Sequence, residues 1–145
     1  MDIKIKRLTN SAIIPSLGTK FSAGVDLSAD ITEKILIKPH EVVKIPTGIA
    51  IELPKNTFGA IYARSGLATT QGLRPANCTG VIDSDYRGEI VVALYNDSKN
   101  TRIIEPGQRI AQIVVIPYIS INFLEVDNLS ETGRGVGGFG STGTR

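Results

Sequence analysis

The segment Gly80–Ile90, GVIDSDYRGEI, holds two acids, Asp83 and Asp85, beside Tyr86. An aspartate that ends an apolar strand, half shielded from water, can act as a general base on a water molecule. The same Asp, Ser and Gly residues are ordinary turn formers, so a corner without chemistry is the competing reading. In ARSGLA (Ala63–Ala68), Arg64, Ser65 and Gly66 offer a charged fork, a hydroxyl and an unobstructed amide to one anion. The alternative there is a polar turn opening a short helix capped by Ser65. AGVDLSA (Ala23–Ala29) sets Asp26 between the apolar Val25 and Leu27. If those two point inward, Asp26 faces the other side of its strand, free to meet a hydrated cation or simply water. RIAQIVV buries Gln112 in an apolar strand, where its amide needs partners from backbone or ligand. His40 reads as a surface residue beside Pro39, and Cys78 as packing.

The stretch GRGVGGFGSTG (133–143) looks like a phosphate grip. GVGGFG has the glycine spacing of a Walker loop, but Ser141 stands where that loop needs lysine and no helix follows. A flexible Gly/Ser-type tail is the competing reading. Arg134 can fork onto phosphate oxygens, and Phe139, with no core to join, can stack on a flat ligand.

These residues must be positioned by short strands. DIKIKRL alternates, and KILI, EVVKI and GIAIEL follow between Pro39, Pro46 and Pro54. TFGAIY leads into Ser65–Gln71, which can make one helical turn. GVID, SDYRG and EIVVALYN then read as a hairpin with Gly88 at its corner. TRII, the turn EPGQ, and the apolar run RIAQIVVIPYISINFLEV complete the body, and the last is expected to be a strand buried on both faces. Many short strands at regular spacing predict a β-sandwich, jelly roll or barrel. Residues 131–145 are read as a mobile tail on a β domain of residues 1–130.

The 145 residues suit one domain of ordinary composition, 41% hydrophobic and 21% charged. No apolar run approaches the roughly 20 residues of a membrane span, and the N-terminus does not read as a signal peptide. A net charge of +2 without a basic block predicts no nucleic-acid partner. One cysteine rules out an internal disulfide and suits a reducing cytoplasm. With one His and one Cys, any metal is expected to be a hard ion held by oxygens.

In order and spacing, AGVDLSA, ARSGLA, GVIDSDYRGE, RIAQIVV and GRGVGGFGSTG resemble the five motifs of the trimeric deoxyuridine triphosphatase (dUTPase) family. One departure is Ala63, where the family commonly has proline. Proline there would stiffen the turn without touching substrate. The resemblance implies an all-β, distorted jelly-roll or barrel-like subunit that cleaves dUTP to dUMP and pyrophosphate by attack of water on the α-phosphorus. Such an activity limits uracil incorporation into DNA and supplies dUMP for dTMP synthesis. Asp83 would be the general base, and Tyr86 would lie against deoxyribose and leave no space for a 2′-hydroxyl. Asn77 and the backbone at Val81 and Ile82 would read uracil, while Arg64, Ser65, Gly66 and Gln112 would hold phosphates. Asp26 would bind waters of a Mg²⁺ chelated by the triphosphate. The tail would be a lid, with Arg134 at the γ end, Phe139 over uracil, and Gly140, Ser141 and Thr142 donating to phosphate. Family members are homotrimers with sites at subunit interfaces.

Two rivals follow. A dCTP deaminase shares the fold and phosphate motifs but needs an acid beside the cytosine amino group, which the turn IDSDYRG suits less well. A regulatory protein could use the nucleotide as a switch that orders the tail for a partner.

Overall fold

The computed structural model describes residues 2–138 and Ser141. Among these, the strands are β1 (Lys4–Arg7), β2 (Val25–Ser28), β3 (Ile35–Ile37), β4 (Val42–Pro46), β5 (Ile49–Glu52) and β6 (Thr57–Tyr62). After a single helical turn, Leu67–Gln71, come β7 (Leu73–Pro75), β8 (Gly80–Ile82), β9 (Val91–Asn96), β10 (Arg102–Ile104) and β11 (Arg109–Pro117). They pair antiparallel in sheets ordered β2-β11-β6-β8, β4-β9-β7, β1-β5 and β10-β3. The result is an all-β jelly roll of open sheets. No sheet among the described residues closes into a barrel, which corrects the barrel-like expectation.

Each sheet contributes to one core. Leu27, Ile37, Ile45, Ile49, Leu94, Ile104 and Ile110 are all at most 1% exposed. Burying each such side chain contributes about 1.5–3 kcal/mol, so these residues bind the sheets together. Strand β9 alternates cleanly, with Val92, Leu94 and Asn96 inward. Buried Asn96 donates to the carbonyls of Ile37 and Asn100, and its Oδ1 accepts from the N–H and hydroxyl of Ser98, so its amide is satisfied. At the β1 edge, the ammonium of Lys4, 3.0 Å from Glu52, holds that exposed carboxyl below its usual range.

Two expected elements take a different form. Residues 80–96 are not a hairpin: β8 pairs with β6 and β9 with β4 and β7, so the chain crosses between sheets. The crossing is pinned at fully buried Ile90, whose N–H donates to the Ile49 carbonyl at 2.9 Å. Its carbonyl accepts from Thr47 Oγ1 at 2.5 Å.

The long terminal run is not one strand either. Strand β11 stops at Pro117, opposite Thr57 at the start of β6, and only Tyr118 N–H continues, to the Asn56 carbonyl. Beyond it Ile119, Phe123 and Leu124 are 88%, 94% and 86% exposed. A strand is buried only where a neighbour covers it, and β6 begins at Thr57 and has no residue to pair beyond Pro117. The short β7, with Pro75 at its end, was not predicted, because three residues carry no periodicity.

Candidate active site

Sheet register assembles the first part of the site. Gln112 on β11 stands opposite Asp26 on β2 and, on its other side, opposite Tyr62 on β6. Since β6 ends at Tyr62, the next residues, Ala63 to Gly66, leave the sheet beside this row. Arg64 Nε donates to Asp26 Oδ1 at 2.8 Å, and Arg109 Nη1 donates to Oδ2 at 3.0 Å. Gln112 Nε2 donates to the Ala63 carbonyl at 2.9 Å, which ties the departing loop to the row. Gln112 is therefore half-buried with a backbone partner, not fully buried as its apolar neighbours suggested. Asp26, expected to be free for a hydrated cation, is instead engaged by two guanidinium groups.

The helical turn holds the loop from its far side. Ala68 N–H donates to the Arg64 carbonyl at 3.0 Å, Thr69 Oγ1 to the Ser65 carbonyl at 2.7 Å, and Thr70 Oγ1 to the Gly66 carbonyl. No side chain caps this turn, so Ser65 does not serve as its cap. Ser65 and Gly66 instead line an open cleft of about 380 Å³ together with Asp26, Arg64 and Gln112. Two guanidinium groups against one carboxylate leave the row with a net positive charge. Such a cleft attracts anions and presents charge-assisted donors to them.

Arg109 was missed from sequence. In a regular strand, residues at odd separations face opposite sides, which would put Arg109 and Gln112 apart. A register shift between Arg109 and Ala111 makes Ile110 an extra residue. Ile110 and Ala111 are then both buried, and Arg109 and Gln112 share the outer face. The only hint in the sequence is the adjacent apolar pair between two polar residues. Gly24 was missed as well: a Cβ there would stand 2.5 Å from Gln112 Oε1, so glycine is what lets the amide lie across β2.

The second part of the site lies around edge strand β8. Asn77 is exposed, with its amide against Gly80, where a Cβ would be 3.1 Å from Nδ2. Val81 is exposed, Ile82 half-buried, and Asp83 exposed where half shielding was expected. Asp83 shares a second cavity, about 210 Å³, with Phe58, Val81 and Tyr118. A turn from the Tyr86 N–H to the Asp83 carbonyl, 3.1 Å, follows. Tyr86 donates its hydroxyl to the Glu89 carbonyl at 3.0 Å and lays its ring over Gly88. Any side chain at Gly88 would collide with that ring, since its Cβ would be 2.3 Å from the hydroxyl. Cys78 is exposed, not packed, and adopts φ 59 in this loop.

The two parts do not meet within one chain. Asp26 sits on one edge strand of the large sheet and Asp83 follows the other, with β11 and β6 between. Three strand spacings separate them by about 14 Å across the sheet. Along β6, Tyr62 marks the first part and Gly59, opposite Ile82, the second, so they are also about 10 Å apart along the strand.

In the tail, Arg134 Nε donates to the Gly137 carbonyl at 2.9 Å and Ser141 N–H to the Gly138 carbonyl at 3.0 Å, both local turns. Phe139, Gly140 and Thr142 lie outside the described residues. Among the described residues, no group of three acidic, His or Cys side chains could hold a metal. Asp26 fits a hard cation only at second hand: each of its oxygens already accepts from arginine and keeps one lone pair for a metal-bound water.

A family model described as dUTPase matches residues 10–143. A deoxyuridine 5′-triphosphate nucleotidohydrolase of Desulfitobacterium hafniense (strain DSM 10664 / DCB-2) is 50% identical over 146 residues, covering 97% of each chain. One of the same name from Rickettsia felis is 50% identical over 142 residues, covering 97% of this chain and 96% of that one. Among solved structures, a mutant dUTPase of Staphylococcus bacteriophage 80alpha with dUpNHpp superposes with a TM-score of 0.88 at 27% identity, covering 98% of each chain. The cross-strand row and the Asp83 loop are thus carried by a sequence and a fold of one kind, and the chain belongs to the dUTPase family.

Proposed function

We propose that this protein hydrolyses dUTP to dUMP and pyrophosphate, with Asp83 as the general base on the attacking water. The observation that carries the reading is the row around Asp26, where Arg64, Arg109 and Gln112 form a positive array at a cleft that Ser65 and Gly66 also line. In this reading Arg64, Ser65, Gly66 and Gln112 hold the phosphates by preorganised donors, the main source of rate in phosphoryl chemistry. Asn77 and the backbone of Val81 and Ile82 read the uracil edge, and Tyr86, braced on Gly88 and Glu89, excludes a 2′-hydroxyl. Asp26 would hold the waters of a Mg²⁺ ion accompanying the triphosphate, and such an ion would supply neutralisation of phosphate charge.

The separation of the two parts supports a homotrimer in which one subunit supplies the Asp26 row and a neighbour the Asp83 loop. The uncovered apolar residues Ile119, Phe123, Leu124 and Leu129 support the same reading, because monomers seldom leave such a stretch in water. Residues 131–145 then act as a lid, with Arg134, Phe139, Gly140, Ser141 and Thr142 closing over the nucleotide and excluding bulk water.

The test is pyrophosphate release from dUTP, dCTP, dTTP and UTP with Mg²⁺. The expected kcat/KM for dUTP exceeds the others by about a hundredfold or more, because a mismatched base or sugar leaves buried groups unpaired. Equal rates on all four would overturn the assignment, and ammonia release from dCTP would identify a deaminase.

A further inference from the structure

We propose that Arg74 is a positioning residue for base recognition, clamping the Asn77 loop from outside the site. The inference rests on the reading above that Asn77 meets uracil. Arg74 lies on β7 directly opposite Tyr95 on β9. Its guanidinium stacks 4.9 Å from the centroid of the Tyr95 ring, a cation–π arrangement. From that platform it reaches in two directions. Nε is 3.7 Å from Asp97 Oδ2, and Nη1 is 3.6 Å from Cys78 Sγ. The platform is itself held, because the Tyr95 hydroxyl is 3.0 Å from His40 Nδ1.

The loop needs such a clamp. Cys78 adopts a left-handed conformation, φ 59, which a residue with a Cβ rarely takes without support. The Cys78 N–H donates to the Pro75 carbonyl at 3.2 Å, and the Thr79 N–H to the Asn77 carbonyl at 2.6 Å, so the loop is a tight local turn. Its Asn77 side chain is exposed and rests on Gly80. The guanidinium contact at Cys78 Sγ joins this turn to the β7-β9-β4 sheet through a side chain. Arg74 touches neither Asn77 nor the cavity of Asp83, so its effect on base recognition passes through the geometry of the turn.

Arg74→Met keeps the length of the side chain and removes the stacked charge and both polar contacts. The expected result is a KM for dUTP raised about fivefold with kcat changed less than twofold, and a similar fall in the dUTP-to-dCTP ratio of kcat/KM. Tyr95→Leu, which removes the platform, is expected to give the same split, and the double variant no more than either alone. Arg74→Lys keeps a cation over the ring, loses the fork to Asp97 and Cys78, and serves if the Met variant does not fold. Its KM is expected to move in the same direction. Asn77→Ala is the control for the underlying reading. If it raises KM while the Arg74 variants leave KM and the dUTP-to-dCTP ratio unchanged, the clamp is overturned alone. If Asn77→Ala itself leaves both unchanged, the uracil role of the loop fails and the clamp fails with it.

Discussion

Replacing Gly24 by alanine tests whether Gln112 positions the Arg64 loop. Gly24 has an ordinary backbone conformation, so alanine strains nothing locally, and the consequence comes from one contact. The new Cβ would stand 2.5 Å from Gln112 Oε1, against the 3.4 Å where ordinary contact begins. The amide must therefore retreat by about 0.9 Å, the difference of those two distances. Its bond to the Ala63 carbonyl, now 2.9 Å, would stretch toward about 3.8 Å and cease to be a hydrogen bond. The net loss is about 1 kcal/mol, the usual worth of one such bond. If Gln112 fixes the loop on which Arg64, Ser65 and Gly66 stand, a comparable loss appears in the transition state, about fivefold in kcat/KM. Pyrophosphate release from dUTP and urea unfolding of the same samples measure the two quantities. In a Gln112→Ala background the added methyl meets no amide, so Gly24→Ala is expected to cost little further in either. A full additional fivefold loss in that background would refute the argument, since the methyl would then act through something other than Gln112.

Asp83→Asn is expected to leave the KM for dUTP within a few-fold while lowering kcat by two or more orders of magnitude, roughly the worth of a general base; near-normal turnover in steady-state assays would remove Asp83 from that role. Asp26→Asn leaves Arg64 and Arg109 facing each other without a carboxylate, and is expected to cost about 1–2 kcal/mol in urea unfolding, discounted for the partial exposure of all three groups. An unchanged unfolding midpoint would mean that the two ion pairs contribute nothing. Deleting residues 131–145 is expected to leave a folded trimer by sedimentation and circular dichroism with little turnover of dUTP. Loss of the fold would make the tail structural, and full turnover would end its role as a lid.

How legible the protein was depended on the range over which each feature is decided. Short alternating apolar runs broken by Pro39, Pro46 and Pro54 determine an all-β fold by themselves, because period-two burial and loss of a backbone donor are local properties of the chain. Motif order and spacing likewise determine the family and single out Asp26, Arg64, Gln112 and Asp83. The sequence also contains the alanine, isoleucine and arginine of β11, but not the choice of which one bulges. That choice depends on how β2 and β11 fit together over a common core, and it alone moves Arg109 onto the face of Asp26. Pairing partners are equally nonlocal. SDYRG looks like a hairpin corner within the eleven residues Gly80–Ile90, yet burial of Ile90 against β5 sends β9 into another sheet. The run from Ile119 to Val126 is apolar enough for a buried strand, and only the tertiary structure shows that β6, which begins opposite Pro117, does not extend far enough to cover it. Local chemistry is written in residue types and is legible from them. Which residues face each other is a property of packing the whole chain, and it was decided there.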